Sequence, residues 1–281
     1  MVHIRPLTPE DAEAANIAAA AALDRPQSTE PGPARDFHLA RVRHLAETDP
    51  GGAWLATDAD GRAIGLALAL VREGLWGLSL LAVHPDAHGA GAGRALVRAA
   101  WEHGRGARGH VVLASSHPAA LRLYAGLGLD LHPAMAAAGI ADLSRAPDLA
   151  ARVEPGPVEA TEPVSRHVRG ASHVRDLPVS LRRGSRVLVL EDRAWALVSP
   201  ELAYVHAIAG CDEEAATAAL WAAWAACGPG ATVQLDFLTS VQQWAVRACL
   251  DARLAFTPGG AVFLGGDVGR FTPYLPSGAW L

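Results

Sequence analysis

The chain has 281 residues, of which 51% are hydrophobic and 19% are charged, and its formal net charge is −5. So apolar a composition excludes an intrinsically disordered protein, and the length allows two domains of ordinary size. The weak negative charge provides no general attraction to nucleic acid or to an anionic membrane, so we expect neither as a partner.

The cysteines and the longest apolar run predict the cellular compartment of the protein. Cys211, Cys227 and Cys249 are odd in number and lack C-x-x-C spacing, which predicts reduced thiols in the core rather than a disulfide framework. The longest apolar run, residues 215–227, is too short to span a bilayer, and the N-terminal stretch runs into Glu10, Asp11 and Glu13, unlike a signal peptide. We therefore expect a cytoplasmic protein.

The first half of the chain predicts alternating strands and helices. A strand begins at Ile4 and is followed by a proline turn and an acidic helix start. Next come a hairpin over residues 53–70 turning at Asp60 and Gly61, a strand over 79–83 before an alanine-rich helix, and a strand over 110–115 before a second helix. Pro118 and Gly128 mark the two ends of that second helix.

The second half repeats this order of elements. Its members are a strand start and proline turn at Val153, a hairpin over 186–198, a strand over 204–209 before an alanine-rich helix, and a strand over 232–238 before another helix. Self-similarity at half the chain length predicts two copies of one α/β unit. The proline-rich, polar segment 144–162 is the natural seam, which predicts domains at residues 1–145 and 146–281.

The two copies differ in the turn after their fourth strand. The first copy has HGAGAGR at residues 88–94, a turn almost without side chains at the start of a helix. Backbone N–H groups at a helix start can converge on an anion, so the turn suits a diphosphate lying directly on the backbone. It lacks the Gly-Lys-Ser/Thr of an ATP-binding loop and the third glycine of a dinucleotide-binding loop. The second copy has GCDEEAA at residues 210–216, whose acidic side chains would repel a phosphate.

Two motifs at a compatible separation carry a family resemblance. Residues 88–93 match Q/R-x-x-G-x-G/A with His88 in the first position, and residues 117–129 match N-x-x-A-x-x-x-Y-x-x-x-G-F/L with Tyr124 in register and His117 in place of asparagine. With these motifs, the first 145 residues resemble the GNAT superfamily of N-acetyltransferases. The resemblance implies an α/β fold of two tandem GNAT-like domains, each a mostly antiparallel, twisted mixed sheet flanked by helices. The C-terminal domain would be a degenerate copy without the coenzyme loop.

The resemblance also implies acetyl-CoA as the cosubstrate and assigns residues to it. The loop would hold the diphosphate, and the pantetheine arm would lie along the fourth strand like an added strand, with a backbone N–H near Val83 polarising the thioester carbonyl. His117 would either touch the coenzyme or cap its own helix. The residues expected to bind acetyl-CoA are Leu81, Ala82, Val83, His88, Gly89, Ala90, Gly91, Ala92, Gly93, Arg94 and His117.

The implied chemistry is direct attack of an amine on the thioester, without a covalent enzyme intermediate. The family commonly uses the tyrosine matching Tyr124 as a general acid for the departing thiolate; the alternative is a core tyrosine on the apolar side of its helix. The general base stays open, because the fourth strand has no carboxylate, and the candidates are His84, Glu73, His206 and the terminal carboxylate. No metal is expected, because no ligand spacing accompanies the histidines.

The leading functional hypothesis is an N-acetyltransferase that acts on a small-molecule or peptide amine, with its active site in the N-terminal copy. One alternative is an acyl-CoA-binding pseudoenzyme whose second copy serves assembly. Another is a regulatory module without a cofactor. A homodimer is compatible with each hypothesis, and the fold does not identify the amine.

Overall fold

The computed structural model of the protein describes residues 2–25 and 28–281, which fall into two compact units, Met1–Arg108 and Gly109–Leu281. Both units are mixed α/β structures in which helices flank a mostly antiparallel sheet. This architecture confirms the predicted fold class.

The first unit is a four-stranded antiparallel sheet in the order β1-β2-β3-β4. Its elements are β1 His3–Pro6, α1 Ala12–Ala22, α2 Pro33–Thr48, β2 Ala53–Thr57, β3 Ala63–Arg72, β4 Leu75–Val83 and α3 Ala92–His103. The predicted hairpin is β2 and β3, and Gly61 takes a φ of +80° in the turn between them, where a side chain would be strained. The middle of β3 is buried and apolar because helices pack on the sheet at this strand.

The second unit has the strand order β5-β12-β6-β11-β10-β9-β8-β7, with β13 beside β10. Its elements are β5 Gly109–Ala114, α4 Pro118–Ala125, β6 Asp130–Ile140, β7 Glu154–Pro155, α5 Glu162–Arg169, α6 Leu177–Leu181, β8 Arg186–Leu190, β9 Ala194–Ser199, β10 Tyr204–Gly210, α7 Glu213–Ala226, β11 Thr232–Leu238, α8 Gln243–Asp251, β12 Ala255–Gly266 and β13 Tyr274–Leu275. The core of this unit includes one face of α7 and of α8, packed against the strands through Trp224 and Trp244.

The order of elements repeats along the chain. A strand, two helices, three strands, a helix, a strand, a helix and a strand run from β1 to β6, and the same ten elements run from β7 to β12. The predicted duplication therefore agrees with the element order. The predicted boundary at residues 145 and 146 lies in the connection between the two series and remains a prediction, because the compact units divide at a different place.

The last strands of the two repeats are exchanged within the second unit. β12 lies between β5 and β6 and is antiparallel to both, while β6 pairs with β11. The final strand of each repeat thus lies beside the preceding strand of the other repeat. The last strand of the first repeat, β6, is a single long strand of 11 residues.

A β-bulge marks the same position in the fourth strand of each repeat. The register of β4 against β3 skips Ser79, and the register of β10 against β9 skips His206. Ser79 lies four residues before Val83, the last residue of β4, and His206 lies four residues before Gly210, the last residue of β10. The two fourth strands can therefore be compared residue by residue from their ends.

Candidate active site

The loop before α3 leaves the start of that helix bare. Gly91 is the N-cap residue, with a φ of +83°, and Gly89 has a φ of +79°, so both need the left-handed conformation that glycine adopts without strain. No side chain among the described residues caps the helix at Gly91. The first N–H groups of a helix have no partner inside it, and they carry its partial positive charge. The loop therefore has the chemistry of an anion site.

The packing around Gly93 does not explain why this position is a glycine. It lies in the first turn of α3, where glycine destabilises a helix by about 1 kcal/mol relative to alanine. A Cβ there would lie 3.5 Å from Val83 Cγ2, an ordinary van der Waals distance, so no atom of the described residues forbids an alanine at this position. Its absence is explained if a ligand approaches the backbone at this point.

Two arginines follow the bare turn. Arg94 was predicted from the sequence to bind the coenzyme, and Arg98 lies one turn further along α3; both side chains are exposed. Residues four apart share one face of a helix. They place two positive charges near the helix start, and Arg98 was not identified from the sequence because the family motif does not extend to it.

The start of α7, the helix that matches α3 in the second repeat, is closed by its own side chains. Asp212 caps it, because its Oδ1 accepts from the Ala215 N–H at 2.8 Å. Arg193 Nη2 then binds Asp212 Oδ2 at 2.9 Å and Glu214 Oε2 at 3.0 Å. An incoming phosphate would meet two carboxylates and an occupied helix start, which supports the prediction that acidic residues here would repel it.

The edge of β4 opposite β3 carries two of the three amides predicted to bind the pantetheine arm. The His84 N–H donates to the Ile64 carbonyl of the β3 side at 2.8 Å. Neighbouring residues of a strand direct their N–H groups to opposite edges. The Ala82 N–H therefore points toward β3. The N–H groups of Leu81 and Val83 point to the other edge of β4, where an added strand would pair.

His88 ties the loop to the end of β4. Its side chain is exposed, and its Nε2 lies 2.9 Å from the Val83 carbonyl oxygen. A carbonyl oxygen only accepts, so Nε2 carries the hydrogen and donates it. The ring thus fixes the backbone that precedes the bare turn, and the direct contact of His88 with acetyl-CoA stays a prediction.

His84 is held on both sides of its ring. Its Nδ1 lies 3.3 Å from the Asp86 N–H, and its Nε2 lies 3.4 Å from Arg62 Nη2. Both neighbours are donors, and a neutral imidazole accepts at only one ring nitrogen, so that nitrogen must release its donor before it can take a substrate proton. The role of His84 as general base stays a prediction.

Tyr124 lies in the second unit, as the seventh residue of α4. Its side chain is buried, and its ring meets the edge of Phe263 in β12 at 5.5 Å between centroids. Burial raises the pKa of Tyr124 far above its ordinary value, so the hydroxyl remains protonated at any physiological pH. It can serve as a hydrogen-bond donor or an acid but not as a base, and whether it is catalytic or a core residue stays open.

His117 caps α4, since its Nδ1 accepts from the Ala119 N–H at 3.3 Å. The alternative predicted for this histidine is therefore seen, and its contact with the coenzyme stays a prediction. In the second repeat, Cys249 is the seventh residue of α8, the position that Tyr124 holds in α4. Burial raises the pKa of the Cys249 thiol to about 12, so it remains protonated. Cys211 is exposed and is not the core residue expected from the sequence.

Arg41 is a buried residue of the first unit that sequence reasoning missed. It lies on α2, only 6% exposed, and its guanidinium donates to Ser79 Oγ at 2.9 Å from Nε and also to the Ser79 carbonyl oxygen. Ser79 is the bulged residue of β4. Arg41 therefore fixes the point from which the last four residues of the strand run toward the loop.

The part of the chain described here shows no group of three or more His, Cys, Asp or Glu side chains arranged to hold a metal ion. None of the helices in residues 2–25 and 28–281 combines the length and the apolar character needed to cross a bilayer.

A family model supplies the deciding comparison, because it aligns the acetyltransferase (GNAT) family with residues 17–129. Residues 17–129 form a GNAT domain. The match contains the bare loop, β4 and Tyr124, and it ends at Leu129. A search of curated proteins found no significant match to the sequence.

Solved structures share the fold over nearly the whole chain. A Pyrococcus horikoshii protein with a provisional acetyltransferase assignment has a TM-score of 0.77 and 16% identity, covering 100% of this chain and 96% of that one. A GCN5-related N-acetyltransferase from Sphaerobacter thermophilus has a TM-score of 0.56 and 17% identity, covering 95% and 96%. A tandem GNAT protein from the clavulanic acid biosynthesis pathway has a TM-score of 0.51 and 16% identity, covering 95% and 99%.

The GNAT family transfers acyl groups from acyl-CoA to amines, and this chain carries its domain. The structural likenesses are below 20% identity, so they show the fold and not the substrate.

Proposed function

We propose that this protein is an acetyl-CoA-dependent N-acetyltransferase that holds its coenzyme at residues 88–94 and acylates a primary amine. The observation that carries the proposal is the bare start of α3, with no side chain capping it among the described residues and with Gly93 free of any internal demand for a glycine. The matching helix start in the second repeat is capped and acidic, which supports a coenzyme site in the first repeat.

The residues present fit an acyl-CoA. The N–H groups at the start of α3 and the charges of Arg94 and Arg98 suit a diphosphate. The N–H groups of Leu81 and Val83, on the edge of β4 opposite β3, suit the amide carbonyls of an extended pantetheine arm. The coenzyme supplies an activated acyl group as a thioester, and the chain positions and polarises it.

The proposed reaction needs no enzyme nucleophile. The amine nitrogen forms a bond to the thioester carbon, the C–S bond breaks, the nitrogen loses a proton and the sulfur gains one. We assign the Val83 N–H to the carbonyl oxygen, where negative charge develops during the attack. We assign to Tyr124 the donation of a hydrogen bond or proton to the departing thiolate, because its hydroxyl is held in the protonated form.

The candidates for the general base differ in their distance from the loop and in their pKa. Glu73 lies before the first residue of β4, so a strand of nine residues, about 30 Å long, separates it from the loop. Burial and the charge of Arg183 lower the pKa of His206 to about 3, which makes it too weak a base for an ammonium group of pKa about 10. Among the side-chain candidates His84 remains, acting once its contact with Arg62 or Asp86 opens.

Gly91→Asp tests the coenzyme site. Aspartate tolerates a left-handed backbone better than most residues, and its carboxylate would repel the diphosphate. We expect the Kd for acetyl-CoA, measured by calorimetry, to rise at least about tenfold. Gly230→Asp is the matched control, because Gly230 has a φ of +77° with open space around it, as Gly91 does, and lies in the second unit.

Tyr124→Phe tests the proposed role of the Tyr124 hydroxyl as the general acid. We expect kcat, followed as thiol release with a panel of amines, amino acids, peptides and aminoglycosides, to fall by about 10²–10⁴-fold, while the Kd for acetyl-CoA stays within about twofold. Phenylalanine keeps the ring against Phe263, so the fold should be retained. Binding of acetyl-CoA with no turnover of any amine by the wild type would instead favour an acyl-CoA-binding pseudoenzyme.

A further inference from the structure

The last segment of the second unit runs along the edge of β10. In β13, Leu275 lies opposite Ile208 and Tyr274 lies opposite Ala209, in antiparallel register. Next to this pair, the Gly210 N–H donates to the Pro273 carbonyl at 3.0 Å. The segment 273–275 is thus an added strand on β10.

The edge that this segment covers corresponds to the edge of β4 opposite β3. The Cys211 N–H donates to the Arg193 carbonyl, on the β9 side, at 2.8 Å, just as the His84 N–H donates to the β3 side. Because N–H directions alternate along a strand, the N–H groups of Gly210 and Ile208 face the opposite edge of β10, where β13 lies. The matching bulges make Gly210 the counterpart of Val83.

The same count makes Ile208 the counterpart of Leu81. We infer that residues 273–275 fill, in the second repeat, the groove that in the first repeat takes the pantetheine arm, so that the chain binds one acyl-CoA and closes its second groove with its own backbone. This inference rests on the proposed function of the first repeat. The Pro273 carbonyl accepts a hydrogen bond from the Gly210 N–H. The counterpart of this N–H is that of Val83, which we assign to the thioester carbonyl.

The segment is anchored by one buried side chain within the pairing and one after it. The Tyr274 hydroxyl lies 3.0 Å from His173 Nε2, and the Trp280 Nε1–H donates to Ser180 Oγ at 2.7 Å. Tyr274 and Trp280 are fully buried. A tethered segment competes at an effective concentration in the millimolar range, far above that of a dissolved coenzyme at micromolar levels. The capped, acidic start of α7 would in addition repel the diphosphate.

Amide hydrogen exchange on the full chain, read residue by residue by NMR, tests the inference. We expect the amides of Ile208 and Gly210 to exchange slowly without any ligand and to keep their rates when acetyl-CoA is added. In the same sample, the amides of Leu81 and Val83 should slow at least about tenfold on addition of acetyl-CoA, and calorimetry should give one equivalent bound per chain.

Substitution of Leu275, which is 2% exposed, provides a second test. Leu275→Ala should speed the exchange of Ile208 and Gly210 at least about tenfold while it leaves Leu81 and Val83 within about twofold. Leu202→Ala, at a leucine that is 52% exposed, should change neither pair.

Other outcomes separate this inference from the proposed function. Two equivalents of acetyl-CoA, or a slowing at Gly210 on its addition, would overturn the inference. Fast exchange at Ile208 and Gly210 in the ligand-free chain would overturn it as well. If acetyl-CoA binds nowhere, the proposed function fails, and slow exchange at these two amides that Leu275→Ala abolishes would still support occupation of the groove by residues 273–275.

Discussion

Arg41 holds the bulge of β4 with a charged side chain that water barely reaches. Its guanidinium donates both to the hydroxyl and to the carbonyl of Ser79. Hydrogen bonds to charged groups contribute about 1.5–3 kcal/mol, and a buried acceptor that loses its donor is costly. Because the bulge sets the direction of the residues that follow, Arg41 is a positioning residue for the amides of Leu81 and Val83.

We predict that Arg41→Met raises the KM for acetyl-CoA at least about tenfold with a smaller effect on kcat, since it displaces binding amides rather than a reacting group. Ser79→Ala is the control: it removes the hydroxyl but keeps the bond from Arg41 to the carbonyl, so KM should change by less than about threefold. Steady-state kinetics well below the melting temperature of both variants measures this. Equal changes in KM for the two variants would mean that the carbonyl bond does not position β4.

At the level of secondary-structure elements, the exchange of last strands depends on a close approach of backbones. Gly260 in β12 has a φ of +77°, and a Cβ there would lie 2.1 Å from the Ala114 carbonyl oxygen of β5. A side chain would therefore push β12 away from β5. No such contact surrounds Gly230, which has the same φ.

We predict that Gly260→Ala lowers the free energy of unfolding by at least about 1 kcal/mol more than Gly230→Ala. Both variants place alanine in the left-handed region, so the difference between them isolates the contact with β5. Urea unfolding followed by circular dichroism gives both values. A loss of the same size in the two variants would show that β12 does not lie against β5 in solution.

The elements themselves could be predicted from the sequence, whereas their exchange could not. Turn residues such as Gly61 and helix ends such as Pro118 are local signals, and the repeat made the element order visible twice. The pairing of β12 with β5 joins strands about 150 residues apart along the chain, and no periodicity encodes it. Arg41 and Ser79 are likewise 38 residues apart, and a two-residue strand such as β13 is too short for any pattern to show.

At the scale of the whole molecule, stability should depend on pH through His206, the bulged residue of β10. Its Nε2 lies 2.7 Å from Ser199 Oγ, and its ring packs against Tyr204. Burial, and then the positive charge of Arg183, lower the pKa of His206 to about 3. The folded chain therefore keeps this ring neutral at a pH where the unfolded chain, with an ordinary histidine pKa of 6.5, takes up a proton.

The direction of the pH dependence of stability follows from this proton uptake. Stabilisation is fully present above pH 6.5 and is lost as the pH falls toward 3, because only the unfolded state binds the proton in that window. We predict a loss of about 2 kcal/mol in the free energy of unfolding between pH 7 and pH 5, measured by urea unfolding. His206→Gln, which can still bond to Ser199, should flatten this dependence, whereas His3→Gln, at an exposed histidine, should leave it intact. A dependence that survives in His206→Gln would assign it to other groups and would place the His206 ring in water rather than against Ser199 and Tyr204.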